Sequence, residues 1–309
     1  MTSSDIAETS LTELIDLTGR TAVVTGGSAG IGRAITESLI RSGARVFVGA
    51  RDADRAQAVA EELTARAGKP GAVEVHQLDL ADLDSVRSFA GWVASRTDRI
   101  DLLFNNAGIS NQEFHLASAG VESQFAVNHL GHFALTGLLL PLLSAAYEAR
   151  VVTVSSGLYV HGQLDLSLLA DKETYSPGGG YVRSKLANVL FATELEGRLR
   201  AAGSRVRSFV AHPGLARTPM HERYPSPETT AAVQAALATM GREPEHAIAG
   251  IIYAATAPEA DPASFYGPDG DLTDPHVGVE PLAGPANASS LAADLWQTSI
   301  DLSGVGYLD

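Results

Sequence analysis

The chain has 309 residues, no cysteine, and a net charge of −14 from 22 Lys plus Arg against 36 Asp plus Glu. Such acidity repels phosphate backbones and anionic lipid headgroups, and the missing thiols exclude a disulfide framework, a thiolate zinc site and a cysteine nucleophile. The expectation is a soluble cytoplasmic protein acting on a small-molecule substrate, with no nucleic-acid or membrane partner and with a homo-oligomer left open.

The N-terminal "MTSSDIAETSLTELIDL" is acidic and lacks the basic and apolar regions of a targeting signal, so residues 1–18 are expected to be a plain extension. Short β-branched runs then recur at "TAVVTG" (21–26), "ARVFVGA" (44–50), "VEVHQL" (73–78), "IDLLFNN" (100–106), "RVVTVSS" (150–156) and "RVRSFVA" (205–211). They lack polar alternation, as strands covered on both faces do. Between them lie helical patterns such as "IGRAITESLIRSG", "DRAQAVAEELTARAG" and "LDSVRSFAGWVASR", the first two closing on a glycine. The alternation predicts an α/β fold: one domain over residues 19–309, with a doubly wound parallel sheet, helices on both faces, and ligands beyond the carboxyl ends of the strands. The longest apolar stretch, "FALTGLLLPLL" from Phe133, is too short to span a bilayer and contains Pro141. Residues 221–257 predict helices, 258–288 loops rich in Pro, Gly and Asp, and 290–302 a last helix that packs Leu295 and Trp296 onto the body.

Two motifs carry chemistry. In "TGGSAGIG" (25–32), Gly26, Gly30 and Gly32 lead from the first strand into a helix. Glycines let backbone N–H groups approach a pyrophosphate at the positive helix end, although the spacing alone also suits a simple tight turn. In "YVRSKLANV" (181–189), Tyr181 and Lys185 sit one helical turn apart on the same face. Ionising a free phenol at neutral pH costs about 4 kcal/mol, and a fixed ammonium beside it removes part of that, which would make Tyr181 a usable proton carrier. With eight tyrosines and only Lys69, Lys172 and Lys185 as lysines, roughly 0.08 chance pairs are expected at this spacing.

Together with "NNAG" (105–108), "VSS" (154–156) and "HPG" (212–214), in this order, these motifs make the chain resemble the short-chain dehydrogenase/reductase family from about Gly19 to Thr218. The stretches "LDL" (78–80), "VNHLGHFALT" (127–136), "SKLANVLF" (184–191) and "AHPGLART" (211–218) resemble its retinol-dehydrogenase-like branch, and the lack of an anchor segment makes the soluble bacterial kind the expectation. The resemblance implies a Rossmann fold, with Tyr181 as general acid/base, Lys185 as its electrostatic partner and ribose ligand, Ser156 bonding the substrate oxygen, and Asn128 completing a proton relay through a water. It further implies cofactor contacts from Gly26, Ser28, Ala29, Gly30, Ile31 and Gly32. Asp79 and Leu80 would lie near the adenine, Asn106, Ala107 and Gly108 along the ribose, and Pro213, Gly214 and Thr218 near the carboxamide or phosphates. Asn105 is expected to be structural, and His129, His132 and His212 form no metal set with spaced carboxylates.

NAD-preferring members usually end the second strand on an acidic residue; here Ala50 stands there and Arg51 follows, so NADP(H) is the expected cofactor, with NAD(H) second. Asp52 next to it could turn inward, and Ala29 stands where some NADP-preferring relatives carry a second basic residue. The implied activity is hydride transfer between NADP(H) and a carbonyl or alcohol. Reduction of a conjugated C=C bond and a non-catalytic dinucleotide-binding regulator are the alternatives. Relative to compact members the chain carries an insert at 157–180, a lid at 219–246 and a C-terminal extension at 259–309. Leu158, Tyr159, Leu164, Met220 and Tyr224 there suggest an apolar or bulky substrate, and loops packing on the body would account for them equally well.

Overall fold

All six β-branched runs form strands in a computed structural model of the chain, which describes residues 15–68, 72–222, 224, 226–273 and 275–308. Most of the N-terminal extension therefore lies outside the described residues. In chain order the elements are β1 (Thr21–Thr25), α1 (Gly30–Arg41), β2 (Arg45–Ala50), α2 (Ala53–Ala67), β3 (Val73–Gln77), α3 (Leu83–Ala94) and β4 (Leu102–Asn105). After α4 (Ser123–Phe125) a π-helical turn, Ala126–Leu130, runs straight into α5 (Gly131–Ser144). There follow β5 (Arg150–Val154), α6 (Pro177–Ala201), β6 (Arg207–Ala211), α7 (Pro227–Met240), α8 (Pro244–Ala247), α9 (Ala249–Thr256), β7 (Ser264–Gly270), β8 (Pro275–Pro281) and α10 (Ser289–Ser303).

The strands form one sheet in the order β3-β2-β1-β4-β5-β6-β7-β8, in which every pair is parallel except the last. Strand order reverses between β1 and β4, and the crevice at that switch point is where a doubly wound sheet binds its ligand. The strands are apolar on both faces because helices cover both: Val24, Val48 and Phe104 pack on one side, Val23, Phe47 and Leu103 on the other.

Two expectations need correction. Residues 258–288 are not all loop, because β7 and β8 form an antiparallel hairpin that extends the sheet. Its Gly, Pro and Asp content hides the strands, but Phe265 and Tyr266 are buried against the body. Gly267 has His212 on it and α9 against it: a Cβ there would lie 2.0 Å from His212 Nε2, and one on Gly250 would lie 2.5 Å from the Gly267 amide nitrogen. The second correction concerns the apolar stretch from Phe133, which belongs to a continuous 22-residue helical run, Ser123–Ser144. That run is long and apolar enough to cross a membrane, yet it lies mostly inside the fold as a core helix.

The last helix packs as expected. Ala292, Leu295, Trp296 and Ser299 recur at i, i+3, i+4 and i+7 and are buried, which is one face of a helix. Trp296 meets Phe133 edge-on at 5.0 Å and Tyr307 at 4.8 Å. The chain beyond α10 tucks under α5, where the Tyr307 hydroxyl donates to the Phe133 carbonyl (3.0 Å) over Gly137, whose missing side chain makes room for the ring.

Candidate active site

The loop after β1 is built so that only glycine fits. Gly26 and Gly30 adopt φ of +67° and +49°, in the left-handed region, and a Cβ on Gly32 would lie 2.1 Å from the Gly26 carbonyl oxygen. Ala29 caps α1 without a side-chain hydrogen bond, so its side chain leaves the first amides of this helix unclaimed. An anionic group can approach them, and a Cβ at Gly32 would close the cradle; the residues present therefore fit a dinucleotide pyrophosphate. Thr218 leans over the loop, 3.1 Å from where a Gly30 Cβ would be. Of the other loop residues, Ser28 is half-buried, Ala29 exposed, and Ile31 packs against the core.

Contacts distant in sequence tie this loop to the end of β4. The Thr25 hydroxyl accepts from the Asn106 and Ala107 amides (2.9 Å each), and the Asn106 side chain donates to the Thr25 carbonyl (2.8 Å). His132 Nε2 lies 2.8 Å from the same hydroxyl, and its Nδ1 3.0 Å from the Asn128 carbonyl. Asn105 Nδ2 donates to Thr136 (3.0 Å), a structural bond between β4 and α5.

Past β4, Gly108 borders both Asn128 and Lys185: a Cβ on it would lie 3.2 Å from Asn128 Oδ1 and 3.6 Å from Lys185 Nζ. Asn128 sits in the π-helical turn, a distortion that often marks functional positions. Its Nδ2 donates to the Ile109 carbonyl (2.9 Å) and the Ser184 hydroxyl (2.8 Å), while Oδ1 accepts from the Ile109 amide (2.8 Å). Both amide hydrogens are thus committed, and the lone pair left on Oδ1 is what this carboxamide offers a water.

Helix α6 brings up the tyrosine and lysine. Ser176 caps it by accepting from the Gly179 amide (3.2 Å), and Pro177 occupies its first turn. The expected insert, 157–180, thus overlaps the first turn of this helix, which begins at Pro177. Gly180 is bare because Tyr175 and Gln124 press on it. Ser156, which follows β5 and caps a short 3-10 turn, lies near enough to the Tyr181 phenol to act on its pKa. Lys185 is buried, its Nζ 5.8 Å from the Tyr181 ring centroid, and donates to the Val154 carbonyl (3.0 Å). Burial pushes the Tyr181 phenol up to about 12, with Ser156 pulling the other way, and pushes the Lys185 ammonium down to about 8. Desolvation dominates the Tyr181 shift, while the Lys185 ammonium bonds the Val154 carbonyl.

The remaining expected contacts fall on the same rim. Arg51 follows β2, is exposed, and makes no ion pair among the described residues. Asp52 does not turn inward; its carboxylate caps α2 by accepting from the Arg55 amide (3.0 Å). Asp79 accepts from the Ala81 amide (3.0 Å), while Leu80 is buried beneath α5. Pro213 and Gly214 follow β6, where the Gly214 amide donates to His212 Nδ1 (3.1 Å). The three histidines go separate ways, His129 to Ser299 (2.9 Å), His132 to Thr25 and His212 onto the Phe265 ring. In the insert Leu158 is half exposed, whereas Tyr159 is buried and its hydroxyl accepts from the Ala283 amide (2.9 Å), a packing role. In the segment expected to form a lid His221, absent from the expected set, holds the Tyr224 hydroxyl at 2.5 Å.

The family model for short chain dehydrogenase matches residues 20–229. Retinol dehydrogenase 14 of Mus musculus is 43% identical over 209 residues, covering 65% of this chain and 62% of that protein, so the chain spans less than two thirds of its length. Polyprenol dehydrogenase of Mus musculus is 37% identical over 292 residues, covering 93% and 85%. Among solved structures, an uncharacterized protein from Mycobacterium Paratuberculosis superposes with a TM-score of 0.74 at 37% identity, covering 96% of this chain and 98% of that one. The Pseudomonas aeruginosa RhlG/NADP active-site complex superposes with 0.62 at 28%, covering 79% and 92%. With its sheet order, its glycine cradle and its Ser156, Tyr181 and Lys185 on one rim, the chain belongs to the short-chain dehydrogenase family, in the retinol-dehydrogenase-like branch.

Proposed function

We propose that this protein is an NADP(H)-dependent oxidoreductase acting on a carbonyl or alcohol, with Tyr181 as the proton carrier. The observation that carries the reading is Tyr181 with Ser156 acting on its phenol and Lys185 one turn on, beside Gly108 and the glycine cradle. The bound nicotinamide would supply or accept the hydride. At neutral pH the raised pKa keeps Tyr181 protonated, the form that donates to a carbonyl oxygen as that oxygen becomes an alcohol. Ser156 can bond the same oxygen and share the charge that develops on it. Of the three Lys185 N–H groups one meets Val154, which leaves two for a ribose hydroxyl and a water. In the oxidising direction the phenol must lose its proton, and the nearby ammonium favours that loss.

For NADP(H), support comes from Ala50 at the strand end, from Arg51, exposed and without an ion pair among the described residues, and from Asp52 being occupied as a helix cap. RhlG, a neighbour at 28% identity, is an NADP complex. The relatives named above are dehydrogenases of two alcohols, retinol and polyprenol, and the half-exposed Leu158 beside Ser156 favours an apolar or bulky substrate. The test is Tyr181→Phe, assayed with NADPH on a panel of aldehydes and ketones. Turnover should fall by about 100- to 10,000-fold with cofactor binding retained. Near-normal turnover in that variant would refute the assignment.

A further inference from the structure

The Val154 carbonyl, at the end of β5, accepts two side-chain hydrogen bonds from one face of α6: Lys185 Nζ at 3.0 Å and Asn188 Nδ2 at 3.1 Å. Lys185 and Asn188 are three residues apart, so they are neighbours on that face, and both are buried. A carbonyl has two lone pairs and can hold both donors, but each N–H dipole draws on the same oxygen and places its positive end beside the other. The other end of the amide, Asn188 Oδ1, is buried and has no hydrogen-bond partner among the described residues. This amide spends its donor on the atom that holds the lysine.

Resting on the oxidoreductase reading, we propose that Asn188 is a positioning residue for Lys185: its amide competes for the Val154 carbonyl and keeps the ammonium loosely held, free to turn toward cofactor and substrate. The titratable groups that face Lys185 are Tyr181 on its own helix and His132 from α5, which feels the lysine's charge. Neither is changed by a substitution at Asn188. With the competing N–H removed, Val154 should bind the ammonium alone and stabilise its charged form.

The chain has only three lysines, so lysine-selective carbon-13 labelling at Cε lets the Lys185 titration be followed directly by NMR, without cofactor or substrate. Asn188→Leu, of similar volume, should move the Lys185 midpoint up by about half a pH unit, the worth of one weak hydrogen bond. Asn188→Asp, which puts a carboxylate beside the ammonium, should move it up by about 1 unit or more, with Lys172 unmoved in both. A merely structural role would lower melting temperature and leave the midpoint in place. Midpoints equal to wild type in folded variants would overturn the proposal, and Asn188→Leu decides alone if Asn188→Asp does not fold. Because the titration needs no turnover, its failure would leave the oxidoreductase reading standing, and loss of that reading would leave the titration result standing.

Discussion

Arg51→Ala isolates the proposed choice between the two dinucleotides. In the structure this side chain is exposed and has no ion pair among the described residues, so its removal should cost little stability. Whatever is lost on binding then belongs to the ligand. A guanidinium can meet a 2′-phosphate through charge-assisted hydrogen bonds, worth about 1.5 to 3 kcal/mol, which corresponds to roughly 10- to 150-fold in Kd. Exposure to solvent and salt places the expected value at the lower end, about 10- to 30-fold at physiological ionic strength. Calorimetric titration of NADP(H) and NAD(H) into wild type and variant should show this loss for the phosphorylated cofactor and near-equal affinity for the other. Equal losses for both would mean that Arg51 does not read the phosphate, and loss of NAD(H) affinity alone would mean that it serves the unphosphorylated cofactor.

Gly32→Ala puts a Cβ 2.1 Å from a backbone oxygen that cannot yield without moving the loop, so cofactor affinity should fall by at least about 100-fold in the same titrations, while circular dichroism at low temperature stays native. Acid should also destabilise the fold through buried histidines. Burial lowers the pKa of His129 to about 3 and those of His132 and His212 to about 4, so above their unfolded value near 6.5 they cost nothing. As pH falls from 6.5 toward 4 the unfolded chain binds protons that the folded one refuses, removing on the order of 3 kcal/mol per group. Denaturant midpoints measured between pH 7 and 4.5 should fall steadily, and a flat profile would show that these rings are protonated in the folded state.

What the sequence displayed of this architecture follows from range. The six parallel strands were legible because burial on both faces leaves unbroken β-branched runs, and Tyr181, Lys185 and the glycine loop because their geometry is set within a few residues. The β7–β8 hairpin was not, since Gly267 is fixed by His212, which no local pattern reveals. Likewise Thr25 and Asn106 lie 81 residues apart, and Thr25 and His132 107, so the ties that hold the cradle to β4 leave no periodic trace. Asn188 did leave one, three residues after Lys185 on the same face. The holding of Tyr224 by His221 and of Lys185 by Val154 depends on where loops and carbonyls come to rest.

The tuck of Tyr307 beneath α5 bears on how the protein is made. Synthesis proceeds from the N-terminus, so the sheet and its flanking helices can form before residues 295–307 leave the ribosome. Until then Phe133 and Phe191 lack Trp296, their ring neighbour, and Gly137 lacks the ring that sits over it. One of the apolar cores thus stays open until those residues emerge, as sticky surface that a holdase could cover, and closes only when α10 and the segment after it swing in. Closure of this core accordingly waits on Trp296 and Tyr307 rather than on assembly of the sheet.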